Sequence, residues 1–338
     1  MPEQSTANPS PQVSILIVGY NTKDLLRDCL RGLYEHTSGV DFEVLFIDCS
    51  DDGSAQMLAQ DYPQVRAIEN TENLGFGRGN NAVARHARGQ RLLLLNPDTL
   101  INDNAIGMLN RFADTQPDAG AWGGPAILPS GGIDPGCRQT GPGLRFALYR
   151  LLGLKAMGTG GLHEDATEPG EVNVLSGAYM MVRRDVWEQL GGFDESFFMY
   201  CEETDLCQRI RSAGYAVWMN PQSRITHLVG SGASDSPKRM LAMCKGAMQM
   251  DRKHFGGLHT LGEGLLRWTH SLTRYLAGVL LMPIKPAKSA SLRGKHRSIV
   301  FQPGQWWGGW GDLQSTQSAK STSDSTTTAQ PIKQGDAA

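Results

Sequence analysis

RLLLLNPDT, residues 91–99, carries the clearest structural signal in the chain. Four consecutive leucines predict a β-strand buried on both faces, as in a parallel sheet covered by helices. The strand ends at an amide, a proline and a carboxylate: Asn96, Pro97 and Asp98. Two explanations are open. In the first, Asp98 caps a helix that begins near Asp103 or simply ends the strand; in the second, it binds Mg²⁺ or Mn²⁺ together with a diphosphate, as carboxylates do in nucleotide sites.

The residues before this strand alternate between strand and helix patterns. Apolar runs at 13–21, 42–48 and 65–70 predict three earlier strands, each followed by a helical pattern. This alternation indicates an α/β fold with a mostly parallel sheet and flanking crossover helices. Because ligands bind beyond the carboxyl ends of parallel strands, the polar residues there form one candidate site. These residues are Tyr20, Asn21, Asp48, Asn73 and Asp98.

The glycine-rich stretch NLGFGRGNN, residues 73–81, precedes the leucine strand. We predict a loop that enters a helix, in which Gly75, Gly77 and Gly79 let the backbone approach a ligand closely. Arg78 adds positive charge beside a helix N-terminus, which suits a phosphate group. The spacing fits neither a dinucleotide-binding fingerprint nor a P-loop, so an ordinary glycine-rich turn is the alternative.

A second group of titratable residues lies in the later part of the sequence. EETDLCQRIRSAGY, residues 202–215, predicts a helix that begins with Glu202 and Glu203. Negative charge is favourable at a helix start, and Glu203 is also a candidate general base. His227 stands at a strand end before a Gly/Ser-rich loop, where it is either structural or a metal ligand.

The net charge of −2 conceals an asymmetry along the chain. Residues 1–237 contain 18 basic and 29 acidic side chains (net −11), whereas residues 238–297 contain 12 and 2 (net +10). YLAGVLLMPI, residues 275–284, is too short to span a bilayer but suits a helix at its surface. The flanking cations are Arg267, Arg274, Lys285 and Lys288. We expect contact with an anionic membrane surface; the alternative is a basic helical pair packed on the acidic part or on a second subunit of a homodimer.

Cysteine spacing and apolar run lengths exclude several classes of protein. Six cysteines show no C-x-x-C spacing, and Cys29 and Cys207 fall on apolar helix faces, so we expect core thiols in a reducing cytoplasm. The N-terminus lacks the apolar core of a signal peptide, and no apolar run predicts a spanning helix. No nucleic-acid partner is expected. The tryptophans of QWWGGWGD, residues 305–312, form either an interface patch or part of the core.

Seven stretches, in this order, resemble glycosyltransferase family 2 and in particular its bacterial rhamnosyltransferase-like branch. They are VSILIVGYNT, FEVLFIDCSDDGS, ENLGFGRGNN, RLLLLNPDT, VNVLSGAYMMVRRDVWEQLGGFDESFFMY, EETDLCQRIRSAGY and HLVGSGAS. They fall within residues 13–234, two thirds of the chain. The resemblance implies the GT-A fold, a nucleotide-diphosphate sugar donor, a divalent cation (Mg²⁺ or Mn²⁺) and inversion at the anomeric carbon.

The resemblance also implies roles for single residues around the nucleotide. Asp48 matches the acid that binds the nucleobase, and Tyr20 and Asn21 match the first-strand turn at the nucleoside. The stretch over the nucleotide corresponds to Asn73, Gly75, Gly79 and Asn80, with Arg78 placed to stabilise the diphosphate.

The chemistry is assigned in the same way. Asn96-Pro97-Asp98 replaces the usual Asp-x-Asp of the family, with Asp98 as its metal-binding acid, and His227 matches a histidine that completes the metal shell in some members. Glu203 matches the general base. Most members have Asp at that position, so Glu202 and Asp205 remain alternative candidates for the base.

On this basis the chain divides into five segments. We expect a disordered N-terminus (1–11), a GT-A domain (12–237) with a nucleotide-binding half (12–120) and an acceptor half (121–237), a basic helical segment (238–314) and a disordered tail (315–338).

The implied activity is sugar transfer in cell-envelope polysaccharide synthesis. Rhamnose from dTDP-rhamnose is the favoured donor sugar, the acceptor is a glycan or a polyprenyl-linked sugar, and Ser176 and Gly177 lie on the acceptor side. The enzyme is expected in the cytoplasm, at the inner face of the cytoplasmic membrane. The alternatives are a non-catalytic nucleotide-sugar-binding protein and a nucleotidyltransferase. Carboxylates at 98 and 203 argue against the first, and the lack of a basic glycine-rich loop after the first strand argues against the second.

Overall fold

The computed structural model describes residues 10–134, 144, 148, 151–152, 166–228 and 236–311. The strands are β1 (Val13–Gly19), β2 (Phe42–Asp48), β3 (Arg66–Ile68), β4 (Arg91–Leu95), β5 (Thr99–Leu100), β6 (Ala119–Gly123), β7 (Ala126–Ile127), β8 (Gly170–Glu171), β9 (Tyr179–Arg183), β10 (Ala216–Met219) and β11 (Ile225–His227). The helices are α1 (Lys23–His36), α2 (Ser54–Asp61), α3 (Gly75–Ala84), α4 (Ala105–Asp114), α5 (Arg184–Leu190), α6 (Glu202–Ser212), α7 (Pro237–His254), α8 (Gly257–Leu280) and α9 (Pro286–Phe301), with a 3₁₀ turn at Pro303–Gln305. The predicted disordered ends lie outside the described residues, apart from Ser10 and the buried Pro11.

Eight strands form one sheet in the order β3-β2-β1-β4-β9-β6-β10-β8. The first four are parallel to one another, and β10 is parallel to β6. β9 runs antiparallel between β4 and β6, and β8 is an antiparallel edge strand. The predicted α/β fold with a mostly parallel sheet is therefore confirmed, with β8 and β9 as its antiparallel members.

The leucine strand β4 lies inside this sheet, between β1 and β9. Leu93 and Leu95 pack into the apolar cluster that contains α1 and α4 side chains, whereas Leu92 and Leu94 pack into the cluster that contains α3, α5 and α6 side chains. All four leucines are at most 2% exposed. The strand is therefore buried on both faces, as predicted.

A second sheet of three strands, β5-β11-β7, lies at the end of the leucine strand. β11 is antiparallel to β5, with His227 opposite Thr99, and Leu228 N donates a hydrogen bond to Asp98 O (2.8 Å). This pairing brings His227 next to Asp98, 129 positions earlier in the chain.

Helix α3 corrects the predicted glycine-rich loop, because Gly75–Ala84 is helical from its first residue. A Cβ at Gly79 would lie 2.8 Å from Val18 Cγ1. Gly75 has a φ of +71°, and a Cβ there would collide with Phe198 O. The glycines therefore let α3 pack closely on β1 and on the segment that precedes α6.

The basic segment folds into α7, α8 and α9, held on the sheet domain by the tryptophans. Trp306 is fully buried in a cluster with Ile299, and its Nε1 donates to Ile299 O (3.0 Å). The Trp310 ring lies 5.5 Å from the Phe198 ring, next to α6. Trp306 thus belongs to the core of the C-terminal helices, whereas Trp307 and Trp310 are partly buried. Across the described ranges, none of the helices has both the length and the apolar character that a bilayer crossing requires.

Candidate active site

Asp48, at the end of β2, is held by the turn that follows it. Ser50 donates to Asp48 Oδ1 from both its backbone N–H (2.9 Å) and its Oγ (2.8 Å), and Ser50 Oγ accepts a hydrogen bond from Asn21 N (2.9 Å). Partial burial raises the pKa of Asp48, and the charge of Asp52 adds to the rise. Tyr20, beside this turn, is 53% exposed. The structure thus brings the predicted nucleoside-binding residues together.

The residues predicted above the nucleotide make contacts within the protein. Asn73 Oδ1 accepts a hydrogen bond from Gly75 N (3.1 Å), and the buried Asn80 donates to the backbone of its own helix (3.0 Å). Arg78 Nε lies 3.7 Å from Glu195 Oε2, so its charge already has a partner. Nucleotide contacts by Asn73, Gly75, Arg78, Gly79 and Asn80 stay predictions.

Asp98, His227 and Asp134 meet where β5 and β7 flank β11. His227 Nε2 lies 3.2 Å from Asp98 Oδ1, and His227 Nδ1 lies 2.8 Å from Asp134 Oδ2. The capping alternative for Asp98 is wrong, because Asn104 caps α4 by accepting a hydrogen bond from Gly107 N (3.2 Å).

This donor set fits a divalent cation. Asp134 holds Nδ1 of His227 and so directs Nε2 towards Asp98, as carboxylates do behind metal-binding histidines. Asn96 Nδ2 lies 3.5 Å from the same Nε2. Burial by itself lowers the pKa of His227, but hydrogen bonds to Asp134 and Asp98 raise it to about 9. A cation bound at Nε2 would replace that proton.

A second group of potential metal ligands lies in the C-terminal helices. One ligand atom from each of Asp251, His259 and Glu263 falls within 4.8 Å of the others. Arg267 Nη2 lies 3.8 Å from Asp251 Oδ2 and 3.5 Å from Glu263 Oε2, so a cation already pairs with both carboxylates. The prediction that Arg267 flanks the apolar stretch at the surface is therefore wrong: its side chain is 18% exposed and faces this cluster.

Glu202 and Glu203 begin α6 directly after Tyr200 and Cys201, which have left-handed backbone (φ +69° and +71°). The two glutamates are 3% and 8% exposed. Glu202 Oε2 is buried without a hydrogen-bond partner in the described part of the chain. Burial and the neighbouring Glu203 raise the pKa of Glu202 well above its usual range, which favours the protonated form of Glu202.

Asp205 anchors the start of α6 to α7. This fully buried carboxylate accepts from Arg209 Nε (2.7 Å) and lies 2.8 Å from Lys253 Nζ and 2.7 Å from His254 Nε2. One carboxylate with three basic partners fixes the helix that carries the two glutamates.

One cavity of ≈ 670 Å³ is lined by the predicted catalytic and acceptor residues and by His227, whose partner Asp98 is not part of the lining. Its lining includes Asn96, Ser176, Gly177, Glu202, Glu203 and His227. A Cβ on Gly177 would lie 3.7 Å from Glu203 Cβ, so the predicted acceptor turn adjoins the predicted base. The sequence analysis placed none of several titratable lining residues in a site, among them Asp134, Arg239, Asp251, Arg267, His270 and His296.

The fold is that of the GT-A glycosyltransferases. The mannosyltransferase PcManGT from Pyrobaculum calidifontis, solved with GDP-Man and Mn²⁺, superposes with a TM-score of 0.56 and 16% identity over 87% of this chain and 88% of that chain. GalNAc-T7, solved with UDP, GalNAc and Mn²⁺, gives 0.56 and 16% over 88% of this chain and 57% of that chain. At these identities the likeness establishes the fold alone.

Sequence comparisons define the family. The model of Glycosyl transferase family 2 matches residues 14–191, and that of Glycosyl transferase family group 2 matches residues 148–301. N-acetylglucosaminyl-diphospho-decaprenol L-rhamnosyltransferase of Mycobacterium tuberculosis is 31% identical over 209 residues, 57% of this chain and 68% of the relative. Rhamnosyltransferase WbbL of Escherichia coli is 25% identical over 223 residues, 64% of this chain and 83% of the relative. The chain belongs to glycosyltransferase family 2, and its predicted likeness to the rhamnosyltransferase branch is confirmed.

Proposed function

We propose that this glycosyltransferase is a metal-dependent, inverting rhamnosyltransferase that uses dTDP-rhamnose and a lipid-linked sugar acceptor in cell-envelope glycan synthesis. The two rhamnosyltransferase relatives support the sugar, and the acceptor in the name of the mycobacterial one supports a polyprenyl-diphosphate acceptor. The observation that carries the proposal is that His227, the contact of Asp98, and Glu203 line the same cavity. A donor held at one side and a base at the other is the arrangement that direct displacement requires.

On the donor side, Asp98 and His227 would hold the cation, with Asp134 fixing the histidine ring. When bound, Mg²⁺ or Mn²⁺ supplies positive charge that stabilises the leaving diphosphate. Asp48, with Tyr20 and Asn21 beside it, would bind the nucleoside at the ends of β1 and β2.

On the acceptor side, Glu203 accepts the proton of the attacking hydroxyl as the new glycosidic bond forms. Glu202 is the weaker candidate because its raised pKa favours the protonated form, which cannot accept a proton. The hydroxyl attacks the anomeric carbon from the face opposite the diphosphate, which inverts the configuration. Ser176 and Gly177 form the wall next to Glu203 and so border the acceptor sugar.

We also propose that the enzyme lies at the inner face of the cytoplasmic membrane, where a lipid-linked acceptor is available. Exposed apolar side chains occur along α8, and one group of them lies at its end and just after it: Leu276 (50%), Leu280 (76%), Met282 (49%) and Ile284 (72%). Lys285 and Lys288 follow directly and are exposed. Apolar side chains flanked by lysines suit the headgroup region of an anionic bilayer.

The test is transfer itself. Purified enzyme with Mn²⁺ is incubated with dTDP-rhamnose, UDP-glucose or GDP-mannose and a short-chain polyprenyl-diphospho-N-acetylglucosamine, and product is followed by mass spectrometry. We expect a rhamnosylated product that forms only with Mn²⁺ or Mg²⁺. Transfer of glucose or mannose in place of rhamnose would overturn the donor assignment, and undiminished transfer in EDTA would overturn the metal role.

A further inference from the structure

The cavity has a wall that the catalytic proposal does not use. Helices α7, α8 and α9 contribute four basic side chains to it: Arg239, Arg267, His270 and His296. The rings of His270 and His296 lie 6.1 Å apart, so α8 and α9 bring two of these groups together. This set is referred to below as the basic wall.

Apart from Arg267, which pairs with Asp251 and Glu263, two side chains of the basic wall have a buried nitrogen without a hydrogen-bond partner among the described residues. These nitrogens are Arg239 Nε and His296 Nδ1. His296 is 5% exposed, and burial together with the charges of Arg274 and Lys295 lowers its pKa. Buried polar groups in native proteins almost always have partners, so two of them in one cavity indicate a ligand that supplies acceptors.

The carboxylates near the basic wall do not supply those acceptors. Asp251 and Glu263 face Arg267 at 3.8 Å and 3.5 Å, and Glu202 and Glu203 lie at the start of α6. Arg239 instead lies over the Tyr200 ring, 5.8 Å from its centre. A ligand that binds Arg239 and His296 therefore has to bring its own negative charge.

The same cavity has an apolar side. Met199, Met240, Met243 and Met250 line it, together with Cys244 and Ala247. Met243 is 46% exposed, so the apolar lining continues to the protein surface along α7. Methionine side chains adapt to flexible apolar ligands.

We propose that the basic wall binds the phosphate groups of the acceptor, while the methionines of α7 contact the first part of its apolar chain. The proposal rests on the function proposed above. The acceptor sugar then lies at Glu203, its diphosphate at Arg239 and His296, and its chain leaves past Met243. The C-terminal helices thereby select an acceptor that is both anionic and apolar.

The experiment compares two acceptors that carry the same sugar and the same chain length. One is joined through a diphosphate, and the other is an alkyl glycoside without phosphate. Wild-type enzyme, Arg239→Gln, His296→Asn and Lys238→Gln are assayed with saturating donor and Mn²⁺, and KM and kcat are determined for each acceptor. Lys238 is the matched control, because it is an exposed cation next to Arg239 and is not part of the cavity lining.

The wild-type enzyme and Lys238→Gln should prefer the diphosphate acceptor. Arg239→Gln and His296→Asn should each raise KM for that acceptor by about tenfold or more, the usual effect of a lost charged hydrogen bond, and leave the alkyl glycoside unaffected. Equal use of both acceptors by the wild type, or an unchanged preference in Arg239→Gln, would overturn the basic wall as a phosphate site. Arg239 is only partly buried, so this variant carries the test if His296→Asn does not fold.

Donor binding separates this result from failure of the proposed function. Thermal unfolding with dTDP-rhamnose and Mn²⁺ should give the same stabilisation in all four proteins. Donor binding that is unchanged in Arg239→Gln and His296→Asn, together with loss of their preference for the diphosphate acceptor, supports the basic wall as the site of the acceptor phosphates. No donor binding and no transfer in the wild type would overturn the rhamnosyltransferase assignment itself.

Discussion

Glu202 and Glu203 are neighbouring carboxylates at the start of α6, and we assign the general base to Glu203. Glu203→Gln should keep donor affinity and lower turnover by about 10²-fold or more, because the attacking hydroxyl loses its proton acceptor. The measurement is the initial rate of transfer at saturating donor and acceptor, with donor affinity followed by thermal shift.

Glu202→Gln is the matched control for this prediction. Glu202 is adjacent and similarly buried, and its raised pKa favours the protonated form, so an amide at 202 should cost much less turnover than an amide at 203. The reverse order of the two losses would assign the base to Glu202.

Asp98 permits a second prediction at the scale of single residues. Asp98→Ala should remove Mn²⁺-dependent donor binding and leave the fold intact, because the residue follows a strand end and is not part of the apolar core. In the wild type, donor at 100 times its Kd should add about 2.7 kcal/mol to the free energy of unfolding, and this increment should vanish in the variant. Asp103→Ala, which replaces an exposed carboxylate just after β5, should retain it. Donor stabilisation in Asp98→Ala equal to that of the wild type would contradict the metal assignment.

Single residues of the site were predictable to different degrees. Asp98 and His227 stand at strand ends, where the parallel-sheet rule directs attention. Asp134 lies in the stretch SGGIDPG, which has neither strand nor helix periodicity, and it reaches His227 only through the small second sheet. Arg239 and Arg267 looked like surface charges because charge counts along a sequence do not tell which face of a helix is inward.

At the scale of elements, glycine positions show how packing decides structure. The stretch NLGFGRGNN contains three alternating glycines and predicts a loop, yet it forms α3. Helix propensity disfavours glycine, but close contact with β1 and with Phe198 leaves no room for a larger side chain. Such tertiary contacts are absent from the local pattern, whereas the leucines of β4 carry their own burial signal.

Gly246 in α7 yields a prediction of the same kind. A Cβ there would collide with Tyr200 O, just before the glutamates. Gly246→Ala should therefore lower the free energy of unfolding by about 1–3 kcal/mol, the usual cost of overpacking, and should reduce turnover by displacing α6.

Gly294 in α9 is the control for Gly246, because nothing lies within 4 Å of a Cβ at that position. Gly294→Ala should stabilise the protein by up to about 1 kcal/mol through helix propensity alone. Both are measured by urea unfolding. Equal effects of the two substitutions would show that α7 does not press on Tyr200.

At the scale of the whole molecule, the basic charge of residues 238–297 and the exposed apolar side chains at the end of α8 both favour binding to an anionic membrane. The enzyme should co-sediment with vesicles that contain anionic lipid, more strongly at low than at high salt, and should bind neutral vesicles weakly. Leu280→Glu and Ile284→Glu should reduce binding. Both native side chains are more than 70% exposed, and each substitution adds a negative charge to the proposed contact.

Gln60→Glu, on α2 in the front half, adds the same charge at an exposed position and should leave vesicle binding unchanged. Loss of binding in Gln60→Glu as large as in Leu280→Glu would mean that net charge, and not the end of α8, governs attachment.

The anchoring of Asp205 has a consequence for engineering chimeric enzymes. To exchange acceptor specificity between relatives, one could replace the segment from residue 238 onwards, where the charge of the chain changes sign, with that of a relative. Such a graft would remove Lys253 and His254 and leave the fully buried Asp205 without two of its partners. Breaking a buried ion pair on one side costs about 3–5 kcal/mol. A replacement that also includes α6 keeps Asp205 together with Lys253 and His254 from the same parent protein. The crossover point for a functional chimera therefore lies between α5 and α6.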